Sequence, residues 1–182
     1  MDILLEEFTQ SPSLPWQVIA VRLLLATCIG GVLGLEREIA ERPAGLRTHM
    51  MIALAAAVFA VITIEITAMQ AFSDEQIRTD PLRLVEAITA GVAFLAAGTI
   101  LLRRGEVQGL TTGAGMWLAG AAGLSAGLGL WLVALMSCLL GAIVLALARG
   151  LETRMDLKKP RQTVWESGDQ SADDGDHGES RG

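Results

Sequence analysis

Two groups of charged residues stand out against an apolar chain. Glu36, Arg37, Glu38, Glu41, Arg42, Arg47 and His49 crowd a stretch of fourteen residues, and Arg103, Arg104 and Glu106 recur further along. Guanidinium groups beside the free N–H groups of helix starts can hold an anion or a lipid phosphate. Glu36 and Glu38 can also offer oxygen to Mg²⁺. Two carboxylates among Arg37, Arg42 and Arg47 read more readily as salt bridges, so the metal assignment stays open. His49 stands alone beside a helix start, as a capping or interfacial residue does. No catalytic arrangement accompanies these charges: the chain has no Gly-x-Ser-x-Gly elbow, no His-Glu-x-x-His, no phosphate loop and no cysteine pair at metal spacing. An enzyme is not expected, and no cofactor is called for. Cys28 and Cys138 lie inside apolar runs and read as small buried hydrophobes.

The elements that must position these groups are membrane spans. Of 182 residues, 52% are hydrophobic before the 20 glycines are counted, and the mean hydropathy is +0.47. Only 19% are charged and tyrosine is absent, too little polar surface to cover a soluble domain. Five stretches have the length of apolar chain that a span needs: Val18 to Leu35, Met50 to Ala68, Val85 to Leu102, Leu110 to Ala126 and Leu130 to Ala148. The expected fold is therefore an all-α membrane protein of about five transmembrane helices. Thr48 and Thr112 are placed to cap the second and fourth. Gly113, Gly115, Gly120 and Gly123 dilute the fourth span, which could be short or re-entrant.

Lys and Arg set the orientation. With the N-terminus outside, ten basic residues fall on the inner side and two, Arg78 and Arg83, on the outer. The organisation expected is a periplasmic segment 1–17, a transmembrane domain 18–148, a basic juxtamembrane segment 149–161 resting on anionic headgroups, and a tail 162–182 ending in the cytoplasm. That tail holds six acids against Arg181, a charge of −5 out of the net −6, and is expected to be disordered. The rest of the chain sums to −1, which argues against nucleic acid as a partner. Membrane lipids are the partners that composition implies.

Within the spans, Arg22, Glu65 and Glu86 are expected at similar depth near the outer surface. A charge there faces the bundle and finds a partner or snorkels to the headgroups. Pairing of Arg22 with Glu65 or Glu86 is one expectation, and separate snorkelling the other. Small residues spaced by four mark helix contacts in lipid: Gly30 with Gly34, Gly115 with Ala119, Gly123 and Gly127, and Ala93 with Ala97. They serve internal packing or a homo-oligomer.

The stretch Gly30-Gly31-Val-Leu-Gly34-Leu-Glu36-Arg37-Glu38, followed by Ala44-Gly45-Leu46-Arg47-Thr48-His49, resembles the signature of the MgtC/SapB family of bacterial inner-membrane proteins. The resemblance continues through Asp80-Pro81-x-Arg83, Gly91-x-x-Phe94-Leu95-x-Ala97-Gly98, Gly109-Leu110-Thr111-Thr112, Trp117 and Gly127-x-Gly129, and covers roughly Val18 to Ala148. It implies a multi-pass protein linked to growth or virulence under magnesium limitation. It also implies a regulatory role towards another inner-membrane protein such as the ATP synthase, in Mg²⁺ or acid stress, rather than Mg²⁺ transport. A short acidic tail stands where the best-known member has a folded soluble domain. Ala93, Ala96 and Ala87 depart from the family pattern. The alternative function is a small oligomeric ion transporter or channel, and a lipid- or anion-binding scaffold is a third.

Overall fold

The computed structural model describes residues 12–40, 42–68, 81–103 and 106–154. Five helices account for most of them: α1 (Trp16–Ile39), α2 (Leu46–Ala68), α3 (Pro81–Thr99), α4 (Leu110–Gly127) and α5 (Trp131–Arg154). Four, α1, α2, α3 and α5, are long and apolar enough to cross a membrane. Apart from one short hairpin the described fold is helical, with the span lengths and composition of a multi-pass membrane protein. The chain divides into two units, residues 1–148 and 149–182; the described part of the second is the end of α5, through Arg154. The acidic tail, the end of the basic segment and most of the N-terminal segment lie outside the described residues.

Helices α1, α2, α3 and α4 pack around a core built largely from alanine, including Ala26, Ala53, Ala57, Ala60, Ala119 and Ala126, each fully buried. Helix α4 touches α1, α2 and α3. Eleven of its eighteen residues are buried, so the span with the weakest hydropathy signal is the most enclosed helix of the bundle. Its glycines explain both facts. A methyl on Gly123 would lie 2.6 Å from Ala53 Cα, and one on Gly127 2.7 Å from Ala57 Cα. Lacking those methyls, the α2 and α4 backbones come close enough for dispersion contact along their length. Gly30 and Gly34 do the same for α1 on α2, where an added carbon would stand 2.8 Å from the Met50 and Leu46 Cα atoms respectively. Helix α5 turns most of its leucines outward, with Ala134 and Gly141 buried, the latter facing Leu118 and Leu33.

The boundaries differ from the spacing-based expectation at several ends; α1, for one, runs on to Ile39 rather than stopping at Leu35. Helix α3 stops at Thr99, and residues 101–103 pair antiparallel with 106–108 in a short hairpin where the third span was expected to run to Leu102. Gly109 then enters α4 at φ 95, a left-handed conformation that glycine adopts without steric cost, so the N-cap is Gly109 and not Thr112. Helix α2 starts at Leu46, which places Thr48 inside its first turn rather than at its cap. The small-residue stripe expected on α3 also faces the other way. Ala93 and Ala97 are exposed, whereas Ile88, Val92 and Ala96 are buried, with Ala96 against Gly113 of α4.

Candidate functional site

At one end of the bundle the last turns of α1 meet the first turns of α2 and α4, and three polar residues are buried there: Arg37, His49 and Thr112. Each continues a buried stripe. Arg37 follows Ala26, Ile29, Gly30, Leu33 and Gly34; His49 begins the row Ile52, Ala53, Ala56, Ala57, Ala60; Thr112 begins the row Gly115, Met116, Ala119, Gly123. The helical period therefore carries each of them inward one turn beyond the apolar run. Ending one apolar span at Leu35 and starting the next at Met50 hides that continuation.

Arg37 donates from Nη2 to Thr112 Oγ1, joining α1 to α4, and its Nη1 stands 3.9 Å from Glu36 Oε2. Glu38 Oε2 accepts the Leu46 N–H at 2.9 Å, so the end of α1 caps the start of α2. Gly45 permits this, because any side chain there would collide with the Glu38 carboxylate. His49 is fully buried and its Nδ1 lies 3.0 Å from the Gly45 carbonyl. A carbonyl can only accept, so Nδ1 carries the proton and donates; Nε2 is left facing Gly115, where a methyl would sit 3.0 Å away. Gly115 is thus the socket of the imidazole. The junction works as a three-part clamp: a cation tied to a hydroxyl, a carboxylate on a helix start, and an imidazole against a glycine.

Arg47 and Thr48 belong to the same sequence cluster but not to this clamp. Arg47 is exposed and Thr48 half-buried, both bordering the gap between α2 and α3. The residues expected as one functional layer are therefore split, with Arg37, Glu38 and His49 turned to helix contacts and Arg47 outward. The side chains of Arg103 and Glu106, and residues Glu41 and Arg104, lie outside those described. Among the described residues no group of three His, Cys, Asp or Glu side chains is placed to hold a metal ion.

At the opposite end, Arg22 is joined to neither Glu65 nor Glu86, nor to any other carboxylate among the described residues. Arg22 Nη1 donates to the Gly127 carbonyl at 2.9 Å, satisfying an orphan carbonyl at the C-terminus of α4 where the helix dipole favours a cation. Gly129, at φ 82, leaves room for the guanidinium, since an added carbon would stand 2.7 Å from Nη2. Glu65 accepts the Ser13 and Leu14 N–H groups at 2.8 and 3.1 Å, holding the entry to α1. Glu86 is exposed on α3. Backbone groups take the place of the ion pair: the carbonyl that ends α4 for Arg22, and two N–H groups just ahead of α1 for Glu65.

Comparison with known proteins bears on this framework. Residues 23–154 match the MgtC family. YhiD of Escherichia coli K12, provisionally named a magnesium transporter, is 32% identical over 135 residues, 74% of this chain and 62% of its own. Protein SapB of Bacillus subtilis is 41% identical over 60% of this chain and 48% of its own, and protein MgtC of Brucella abortus 31% identical over 78% and 56%. The chain thus spans about half to under two thirds of the length of these relatives. No solved structure matches. With the match running from the buried face of α1 to the end of α5, more than half of its length, the chain belongs to the MgtC family of membrane proteins.

Proposed function

We propose that this protein is a non-enzymatic regulator in the bacterial inner membrane that acts by docking its helices against another membrane protein during Mg²⁺ limitation or acid stress. The observation that carries the reading is the clamp itself. Arg37, Glu38 and His49 are turned inward onto Thr112, the Leu46 N–H and Gly45. Polar chemistry is spent on holding helices in register, while α5 offers an apolar face through Leu132, Leu135, Leu139 and Ile143. A scaffold of this kind suits contact with a second membrane protein, the ATP synthase being the partner that the family resemblance implies. A homo-oligomer through small-residue faces belongs to the same reading. The basic asymmetry supports an outer N-terminus and a cytoplasmic C-terminus, with the clamp on the cytoplasmic side and α4 as a fifth span.

The name of the Escherichia coli relative favours a second reading, a small oligomeric ion transporter. Co-purification from native membranes and flux in proteoliposomes separate the two. A stoichiometric membrane-protein partner without Mg²⁺ flux is expected. Flux by the isolated protein would replace regulation with transport.

A further inference from the structure

Between α2 and α3 the bundle carries a groove of about 780 Å³, open to the side. Met51, Ala55 and Phe59 of α2 form one wall, and Ile88, Gly91 and Leu95 of α3 the other. Small side chains hollow it out, and a methyl on Gly91 would meet nothing within 4 Å. Where α2 begins, the groove ends on Arg47 and Thr48. Arg47 is exposed, and among the described residues no carboxylate is paired with it.

We infer that this groove seats one hydrocarbon chain of an anionic phospholipid, with the lipid phosphate against the Arg47 guanidinium and the Thr48 hydroxyl. An apolar trough closed at one end by a single cation matches an amphiphile with one charged end. Phosphate free in solution would find Arg47 and Thr48 but gain nothing from the trough. A helix from another protein would fill the trough but leave the cation without a counter-charge. Length is sufficient as well: the α2 wall from Arg47 to Thr63 rises about 24 Å, enough to seat a chain that fills the roughly 15 Å of one leaflet of a 30 Å hydrocarbon core. Guanidinium and phosphate form charge-assisted hydrogen bonds, which fixes the headgroup end of the lipid. Lipid seating needs no partner protein, so it stands or falls separately from the regulatory reading.

Native mass spectrometry of the full chain, purified in mild detergent and offered equal phosphatidylglycerol and phosphatidylcholine, tests the assignment. Wild type is expected to retain phosphatidylglycerol in preference. Arg47→Gln should lower that preference about fivefold, the change that one basic residue at a membrane surface implies. Gly91→Leu, which fills open space, should lower retention of both lipids while leaving the circular dichroism spectrum unchanged. An unaltered preference in Arg47→Gln, or undiminished retention in a folded Gly91→Leu, overturns the assignment. Should Gly91→Leu not fold, photo-crosslinking of wild type with a phosphatidylglycerol carrying a diazirine in its chain decides. Label concentrated on α2 and α3 groove residues supports the assignment; label spread evenly over the outward leucines of α5, or a groove shielded by a co-purified polypeptide, overturns it.

Discussion

At the scale of single residues, burial divides charges that look alike in sequence. Arg37 and Arg47 lie ten positions apart in one cluster, yet Arg37 is 7% exposed and bonded to Thr112 while Arg47 faces outward. Arg37→Ala and Thr112→Val should each destabilise the protein by about 1.5–3 kcal/mol, the range for hydrogen bonds to charged groups. Arg47→Ala should leave the amount of inserted protein at wild-type level. Quantifying membrane-inserted protein, with thermal unfolding in detergent, checks both; loss of Arg47→Ala protein equal to that of Arg37→Ala would show a single architectural layer instead. Arg22 and Glu65 give a second contrast. Because Arg22 bonds Gly127 and Glu65 bonds Ser13 and Leu14, the two share no partner. The losses from Arg22→Ala and Glu65→Gln are expected to add within about 0.5 kcal/mol. A double variant no worse than either single one would restore the ion pair.

Helix α4 shows at the scale of elements why glycine content and packing cannot be read apart. Gly123 lies against Ala53 of α2, and a methyl there would sit 2.6 Å from the Ala53 Cα, which is backbone and cannot rotate away. Gly123→Ala should therefore force α2 and α4 apart and cost at least about 1–3 kcal/mol of stability, the usual range for overpacking. Gly91 on α3 meets open space, so Gly91→Ala should be neutral or stabilising by up to about 1 kcal/mol, the helix-propensity gain of alanine over glycine. Comparing the unfolding midpoints of the two variants in detergent tests whether packing, rather than composition, decides what a helical glycine does. Equal effects would mean that α4 is not held at backbone contact. The hydropathy pattern located α4 within one residue at its C-terminal end, but it ranked this helix last because its glycines dilute the apolar run. The same small residues are what admit close helix approach, a property no hydropathy window measures.

For the whole molecule, the ten-to-two distribution of basic residues predicts that a reporter fused after Arg161 reads cytoplasmic and one fused near Ser73 reads periplasmic. Both reporters on one side would remove an odd number of crossings, and with it α4 as a span. This is a property of the chain in a bilayer, and it follows from charge positions without reference to packing. The sequence by itself also determined the helical, membrane-embedded class, because long apolar runs in lipid must satisfy their backbone groups internally and helices do so locally. It determined membership of the family as well, since the Gly-Gly to Glu-Arg-Glu stretch combines a packing stripe with a charged helix end in a fixed order. Only the tertiary structure decided the partners of the charges. Arg37 reaches Thr112 across 75 positions, Arg22 reaches Gly127 across 105, and Glu65 reaches Ser13 across 52. Such bonds depend on which helix ends meet at which height. Charge and hydropathy along one chain constrain depth in the membrane, but they leave open the rotation of each helix about its own axis, and it is that rotation which turns one arginine into a clamp and another towards lipid.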